Sequence, residues 1–300
     1  MASNSTQCSK NPSREVGIAG AGRVGRSLGK LLNERGQKVV AVASRNRARA
    51  EAAAAFIGRE VQAVSYTDLP SRVDKILIAV SDDSIGQIAN TLAEAGLREG
   101  TVLHTSGIYG TDVLAPLIAQ GNSCAGLHPL QTIATPQQGL QKLPSATFTI
   151  VGSGRAAEWA EKIVNLLHGK ILRIAPSQKS TYHAAAVIAS NYIVSLIDAA
   201  VLVMGAAGVD PEAARRALAP LVQASVQNAL SERPVKALTG PIQRGDIQTL
   251  ALHLQGLALV PPSIQQLYRA VGIQTVQLAR KQGLDSAVAR QLEHLLRRSK

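Results

Sequence analysis

The 300-residue sequence predicts an α/β protein: a doubly wound, mostly parallel sheet over residues 15–175, followed by an all-α domain over residues 176–300. Three observations predict it. Short aliphatic or β-branched runs alternate with helical patterns through the first half, the signature of parallel βαβ units. A glycine-rich turn joins the first of these runs to the first helix. After Pro176 the strand-like runs stop and only helical patterns remain.

Val16-Gly17-Ile18-Ala19 is the first expected strand, and the helix after it runs from about Gly22 to Arg35, where Gly36 stops it. Lys38 to Ser44 reads as the second strand, Arg45 to Phe56 as an Ala-rich helix, and Val61 to Tyr66 as a short third strand. Lys75 to Val80 is an apolar fourth strand; Asp82 and Asp83 then open a helix that Gly96 ends, with acids at the end that suits the helix dipole. Thr101 to Thr105, Ser123 to Leu127, Ala146 to Val151 and Lys170 to Ile174 are further strands, the last preceded by a helix from Ala156 to Leu167. Pro176 marks the boundary. Beyond it come helices over Gln178–Ala207, Pro211–Leu230, Asp246–Leu257 and Pro262–Gln282, with Pro211 in a first-turn position after Asp210.

Composition narrows the function. A chain that is 46% hydrophobic and 17% charged has the makings of a core and disfavours disorder. Met1 to Arg14 is Ser/Asn-rich without an apolar run, so it reads as a flexible tail and not as a secretory leader. Cys8 and Cys124 make no disulfide framework and have no metal-ligand spacing, so no metal is expected and a reducing cytoplasm is the expected compartment. Ala184 to Val209 is apolar but carries Ser190, Asn191, Tyr192, Ser195 and Asp198. A central Asp costs roughly 2.5–3.5 kcal/mol in a bilayer, so this stretch reads as a buried core helix and no membrane partner is expected. The net charge of +12 is spread along the chain, and only Arg297, Arg298 and Lys300 cluster densely. Without a basic stripe interleaved with aromatics, anionic small ligands explain that charge better than nucleic acid.

Gly20-Ala21-Gly22-Arg23-Val24-Gly25 is GxGxxG between a strand and a helix, the context of a Rossmann-type dinucleotide site. Gly20 makes the tight turn, Gly22 lets the backbone approach a pyrophosphate, and Gly25 lets the helix pack on the strand, while the helix N-terminus attracts phosphate. The second strand ends Ala43-Ser44-Arg45-Asn46-Arg47 with no acid to hold ribose hydroxyls. Ser44 and Arg45 suit a 2′-phosphate, which favours NADP, as NADPH, over NADH; the bland alternative is that Arg45, Arg47 and Arg49 form a solvated face. Ser81, after the fourth strand, should run beside the cofactor, and His104-Thr105-Ser106-Gly107 brings Ser106 to the same edge, where it could bond nicotinamide or substrate.

Hydride transfer to a carbonyl leaves an alkoxide, so a proton donor is wanted near the reacting oxygen. His128, in Gly126-Leu127-His128-Pro129-Leu130, and His183, at the start of the long helix, are the candidates, and His253 lies farther along. On a continuous helix His183, Asn191 and Asp198 would share one polar stripe; at about 1.5 Å per residue Asn191 lies roughly 12 Å from His183 and Asp198 roughly 22 Å. Only His183 and Asn191 can then attend one carbon. Lys179 reads as a surface lysine, with a role as general acid or phosphate contact as its alternative. Arg244 could clamp a substrate carboxylate or simply pair with Asp246.

The segments GAGRVG at Gly20, HTSG at His104, LHPLQTI at Leu127, YHAAAVIASNY at Tyr182 and ALTGPIQRGD at Ala237 together resemble a family of NADP-dependent oxidoreductases. That family joins a Rossmann-like domain to a C-terminal domain of unknown function and is similar to the 6-phosphogluconate dehydrogenase, prephenate dehydrogenase and pyrroline-5-carboxylate reductase group. The resemblance implies a 6-phosphogluconate dehydrogenase C-terminal-like helical domain, pairing into homodimers, and His128 as a substrate ligand. The sequence departs from the hydroxyacid dehydrogenases in lacking their Lys and Asn spaced by four, with His183 and Asn191 on that helix instead. Association of some relatives with pantothenate synthesis implies reduction of ketopantoate to pantoate. The expected function is therefore NADPH-dependent reduction of a small 2-oxo acid, with His183 or His128 as acid, Asn191 and Ser106 orienting and Arg244 holding the carboxylate. A non-catalytic NADPH sensor and a prephenate-dehydrogenase-like oxidation are the alternatives.

Overall fold

The computed structural model describes residues 15–298, so the tail expected over residues 1–14 lies outside the described residues. Eight strands form one sheet: β1 Val16–Ala19, β2 Val39–Ala43, β3 Gln62–Val64, β4 Lys75–Ile78, β5 Thr101–His104, β6 Ser123–Pro129, β7 Thr147–Gly152 and β8 Lys170–Arg173. Their order is β3-β2-β1-β4-β5-β6-β7-β8, parallel throughout except for the antiparallel β6–β7 pair. Every strand expected from the sequence is present, within two residues at most ends. Between β1 and β4 the strand order reverses, and the carboxyl ends of these neighbours open the crevice in which α/β proteins bind ligands.

The helices of this unit are α1 Arg23–Glu34, α2 Arg47–Ile57, α3 Asp82–Glu94, α4 Ala115–Ile118, α5 Pro136–Lys142, α6 Gly154–Leu166 and α7 Lys179–Ala189. They cover both faces of the sheet. Alternation along the strands sends Ile18 and Leu77 into one core, with Leu28, Leu32, Phe148, Trp159 and Ile163. Ile76 and Ile78 enter the other, with Ile85, Ile88 and Leu92 of α3 and Leu114 and Leu117 near α4. Strands buried on both sides must be apolar at every position, which is why the central ones read as continuous aliphatic runs.

Helix α7 ends at Ser190, whose φ of −128° and ψ of −69° break the helix, and whose hydroxyl donates to the Ala186 carbonyl. The continuous helix expected over Gln178–Ala207 is thus two helices. The polar stripe built on it, which set Asn191 on one face with His183, does not hold. The compact units likewise divide between Ser190 and Asn191, not at Pro176. The reason is that α7 belongs to the sheet: Lys179 and Tyr182 bond residues on or after β5 and β6.

The second unit contains α8 Asn191–Ala206, α9 Pro211–Ser231, α10 Pro234–Ala237, α11 Pro241–Arg244, α12 Ile247–Gly256, α13 Pro262–Lys281 and α14 Ser286–Arg297. Its all-α character matches the expectation. Helix α14 was not foreseen, although Asp285 caps it by accepting from the Ala287 and Val288 N–H groups. Leu250, Val276, Ala279, Ala289, Leu292 and Leu296 form its core. A core position for α8 is overturned, since Ala199 is its only buried residue.

Candidate functional site

The first site is a cavity of about 590 Å³ at the reversal point of the sheet. It is lined by Gly20, Gly22, Arg23 and Val24 on one side, Ser44, Arg45, Asn46 and Arg49 at the end of β2, and Ser81 and Thr105 after β4 and β5. The glycines are where the sequence argument needs them. Gly20 has φ +132°, and a Cβ there would sit 2.2 Å from the Ala79 carbonyl oxygen. A Cβ on Gly25 would sit 2.2 Å from the Gly20 carbonyl oxygen, so Gly25 lets α1 close onto the turn without lining the cavity. Gly22 begins α1, which has neither a side-chain cap nor an acid in its first turn, so its leading N–H groups are available to an anion.

Charge in this cavity has one sign. Its lining includes three guanidinium groups, Arg23, Arg45 and Arg49, and no carboxylate. Arg47, in contrast, pairs with Glu51 on the surface of α2, as the solvated-face reading would have it. Asn46 caps α2 by accepting the Arg49 N–H, which fixes how the Ser44–Arg49 segment turns around the cavity rim. The opposite wall, Gln131 and Ile133, is held by α5, whose Gly139 packs so closely on α1 that a Cβ would meet Ser27 Oγ at 2.1 Å.

A second cluster gathers beyond Thr105. His104, wholly buried at the end of β5, donates from Nε2 to the Gly110 carbonyl at 2.8 Å and accepts the Ser106 N–H at Nδ1. Burial pushes its pKa down to about 4, so the ring is neutral. The Ser106 hydroxyl accepts the N–H groups of Ile108 and Tyr109, each at 3.1 Å. Ser106 is therefore a brace of the turn: only 2% exposed and outside the cavity lining, it is not placed as the orienting group expected of it.

Lys179 donates from Nζ to the Ser106 carbonyl at 3.1 Å, and its ammonium lies 5.5 Å from the centre of the Tyr182 ring. It is 2% exposed, contrary to the surface lysine read from the sequence. Burial lowers its pKa to about 8, against the attraction of Asp82. Tyr182 Oη and His128 Nδ1 share a hydrogen bond of 2.9 Å. His128 falls to about 3, through burial first and then the proximity of Lys179, His183 and His104. The His183 ring meets His128 edge-on, 6.0 Å between centres at 75°. Both imidazoles crowd Gly107: a Cβ there would lie 2.3 Å from His183 Cδ2 and 2.9 and 3.0 Å from the Nε2 atoms of His183 and His128.

The structure thus brings together His128 and His183, both candidates from the sequence, buries Lys179, whose functional role was the alternative reading, beside them, and adds Tyr182 and Gly107, which the sequence did not assign. Their spacing was a signal, because Lys179, Tyr182 and His183 stand three and four apart and share a helical face. Asn191 opens α8 in the other unit. Arg244 pairs through Nε and Nη2 with one carboxylate oxygen of Asp246, the structural alternative to a substrate clamp. His253 shares a hydrogen bond with the Tyr268 hydroxyl within the helical unit.

Sheet order and glycine cradle define the class: a Rossmann-like unit followed by a helical unit. Residues 1–129 match the family model of a Rossmann-like domain, and residues 146–275 match that of the domain of unknown function DUF2520. No curated protein matches the sequence. Among solved structures, a candidate NADP oxidoreductase from Bacteroides fragilis aligns with a TM-score of 0.73 at 20% identity, covering 89% of this chain and 98% of that one. An imine reductase from Pseudomonas sp. gives 0.60 at 16% identity, covering 94% and 99%. Pyrroline carboxylate reductase from Plasmodium falciparum, solved with NADP bound, gives 0.57 at 12%, covering 94% and 97%. At these identities the likeness establishes a shared fold.

Proposed function

We propose that the protein is an oxidoreductase that uses NADPH to reduce a small carboxylate bearing a C=O or C=N group, with ketopantoate as the first oxo acid to test. The observation that carries this reading is the acid-free, three-arginine cavity leading from the glycine turn to Thr105. Gly20 to Val24 would hold the pyrophosphate against the start of α1. Ser44, Arg45 and Arg49 would hold the 2′-phosphate, for which guanidinium groups are suited and carboxylates are not. NADPH, when bound, supplies the hydride. The imine reductase and NADP-bound neighbours support the reading at the level of fold, and the first of them is why C=N substrates stand beside C=O ones.

Around the second cluster the chain's own groups would orient a substrate. His128 is neutral at working pH, so it serves as a hydrogen-bond partner and not as the ready acid the sequence suggested. The test has two arms. Fluorescence titration should show saturable NADPH binding that weakens about tenfold to a hundredfold in Arg45→Ala/Arg49→Ala, as expected for loss of charge-assisted hydrogen bonds, while NADH affinity changes little. Turnover should appear with ketopantoate or another member of a small oxo-acid and imine panel. Saturable NADPH binding with no oxidation across that panel would instead support a nucleotide sensor. Two copies of the chain are proposed to pair through α8, on the strength of the exposed Tyr192, Val194 and Leu202.

A further inference from the structure

Lys179 is a buried cation without a counter-ion. Among the described residues no carboxylate lies within ion-pairing distance of it, and Asp82 attracts it only from farther away. One donor goes to the Ser106 carbonyl and the Tyr182 ring face lies near the ammonium. The other groups around it carry no negative charge: His104 and His128 are neutral, and burial raises the pKa of the Tyr182 phenol. A charge held this way is costly unless something compensates it. Asp82 at the start of α3 is the acid that acts on it and, with Asp112, also acts on His104; the remaining titratable neighbours are His104 on β5, His128 on β6 and Tyr182 and His183 on α7.

We propose that Lys179 selects an anionic substrate: the carboxylate seats on the imidazole edges of His128 and His183 at Gly107, and Lys179 supplies the compensating charge from behind the Ser106–Gly107 turn. This rests on the reading of the cluster as the substrate end of the site. Because Gly107 lacks a Cβ, which would stand 2.9 and 3.0 Å from the Nε2 atoms of His183 and His128, both rings close over its backbone and bring their Nε2 edges together. In the tautomer whose Nδ1 accepts from the Tyr182 hydroxyl, His128 holds its proton on Nε2 and can donate it to a carboxylate oxygen. Arg244, the anchor suggested by the sequence, already spends its guanidinium on Asp246. Lys179 acts through the turn and the two rings, so it is a positioning residue.

The test compares oxamate with oxamide, an anion and a neutral molecule of nearly one shape, by calorimetric titration of the full chain with and without NADPH. Wild type should bind oxamate at least tenfold more tightly than oxamide at pH 7. Lys179→Met should lose that preference while keeping the wild-type NADPH affinity and a melting temperature no lower than that of wild type. Should Lys179→Met fail to fold, wild type alone decides: oxamate affinity should fall about tenfold per pH unit above about 8, where the free ammonium deprotonates, and oxamide affinity should stay level. Equal binding of the two ligands by wild type, a folded Lys179→Met that retains the preference, or a flat pH profile would each overturn the inference. Intact NADPH binding with no oxamate preference removes this inference alone, whereas absent NADPH binding removes the proposed function and leaves the oxamate comparison readable.

Discussion

His104 shows how one buried residue ties stability to pH. Its ring satisfies the Gly110 carbonyl and the Ser106 N–H together, which only the neutral tautomer with a proton on Nε2 can do. Folded, it titrates near 4; unfolded, near 6.5. Between those values the unfolded chain binds the proton and the folded one does not, so stability falls as pH drops from about 6.5 toward 4. The shift corresponds to roughly 3 kcal/mol once pH is below 4. Denaturant unfolding at pH 7 and pH 4.5 should therefore differ, and His104→Gln, which keeps a donor and an acceptor, should shrink the difference; an unchanged slope would count against this role. Lys179 has the opposite charge logic with the same sign. Its folded pKa lies near 8, so deprotonation between about 8 and 10.5 relieves the buried charge and stability rises with pH there.

At the scale of elements, the cavity wall depends on how α1 meets α5. The single hydroxyl proton of Ser27 is shared between the Arg23 carbonyl within α1 and the Pro136 carbonyl of α5, and Gly139 sits directly over it. Gly139→Ala places a methyl group where Ser27 Oγ stands, and overpacking of this kind costs about 1–3 kcal/mol. The melting temperature should fall, and NADPH affinity with it, because Gln131 and Ile133 lie on the segment that α5 anchors. Phe148, fully buried on β7, reports on the core alone: Phe148→Ala should cost about 3–5 kcal/mol in chemical denaturation. The central strands were legible because a sheet covered on both faces demands apolar residues at every position there. The break at Ser190 was not, because hydrophobic pattern continues across it and a single backbone torsion ends the helix.

At the scale of the molecule, α8 and its neighbour α9 expose several large apolar side chains: Tyr192 is 55% exposed, Val194 68%, Leu221 63% and Leu230 79%. Apolar patches of this kind on one chain mark an interaction surface. The stretch Pro176–Ala206 is also long and apolar enough to cross a membrane by length and composition alone, but Lys179 and Tyr182 near its start are bonded into the sheet unit. Light scattering after size-exclusion chromatography should give twice the chain mass, and Val194→Asp should shift the protein to monomer without altering NADPH binding. A monomeric wild type, or material that elutes only with detergent, would rule out pairing through this face.

The sequence by itself determined the order of the strands, the glycine turn and the absence of an acid at the end of β2, because each is a local matter of periodicity, backbone sterics or residue charge. It also placed His128 and His183 among the candidates. Only the tertiary structure decided what those residues face. The burial of Lys179, the use of Ser106 as a brace and the pairing of Arg244 with Asp246 depend on which groups lie across space, and a side chain's charge state follows from that surrounding medium. A lysine three residues past Pro176 looks the same in a sequence whether water or a buried turn receives its ammonium; the fold alone chose the turn.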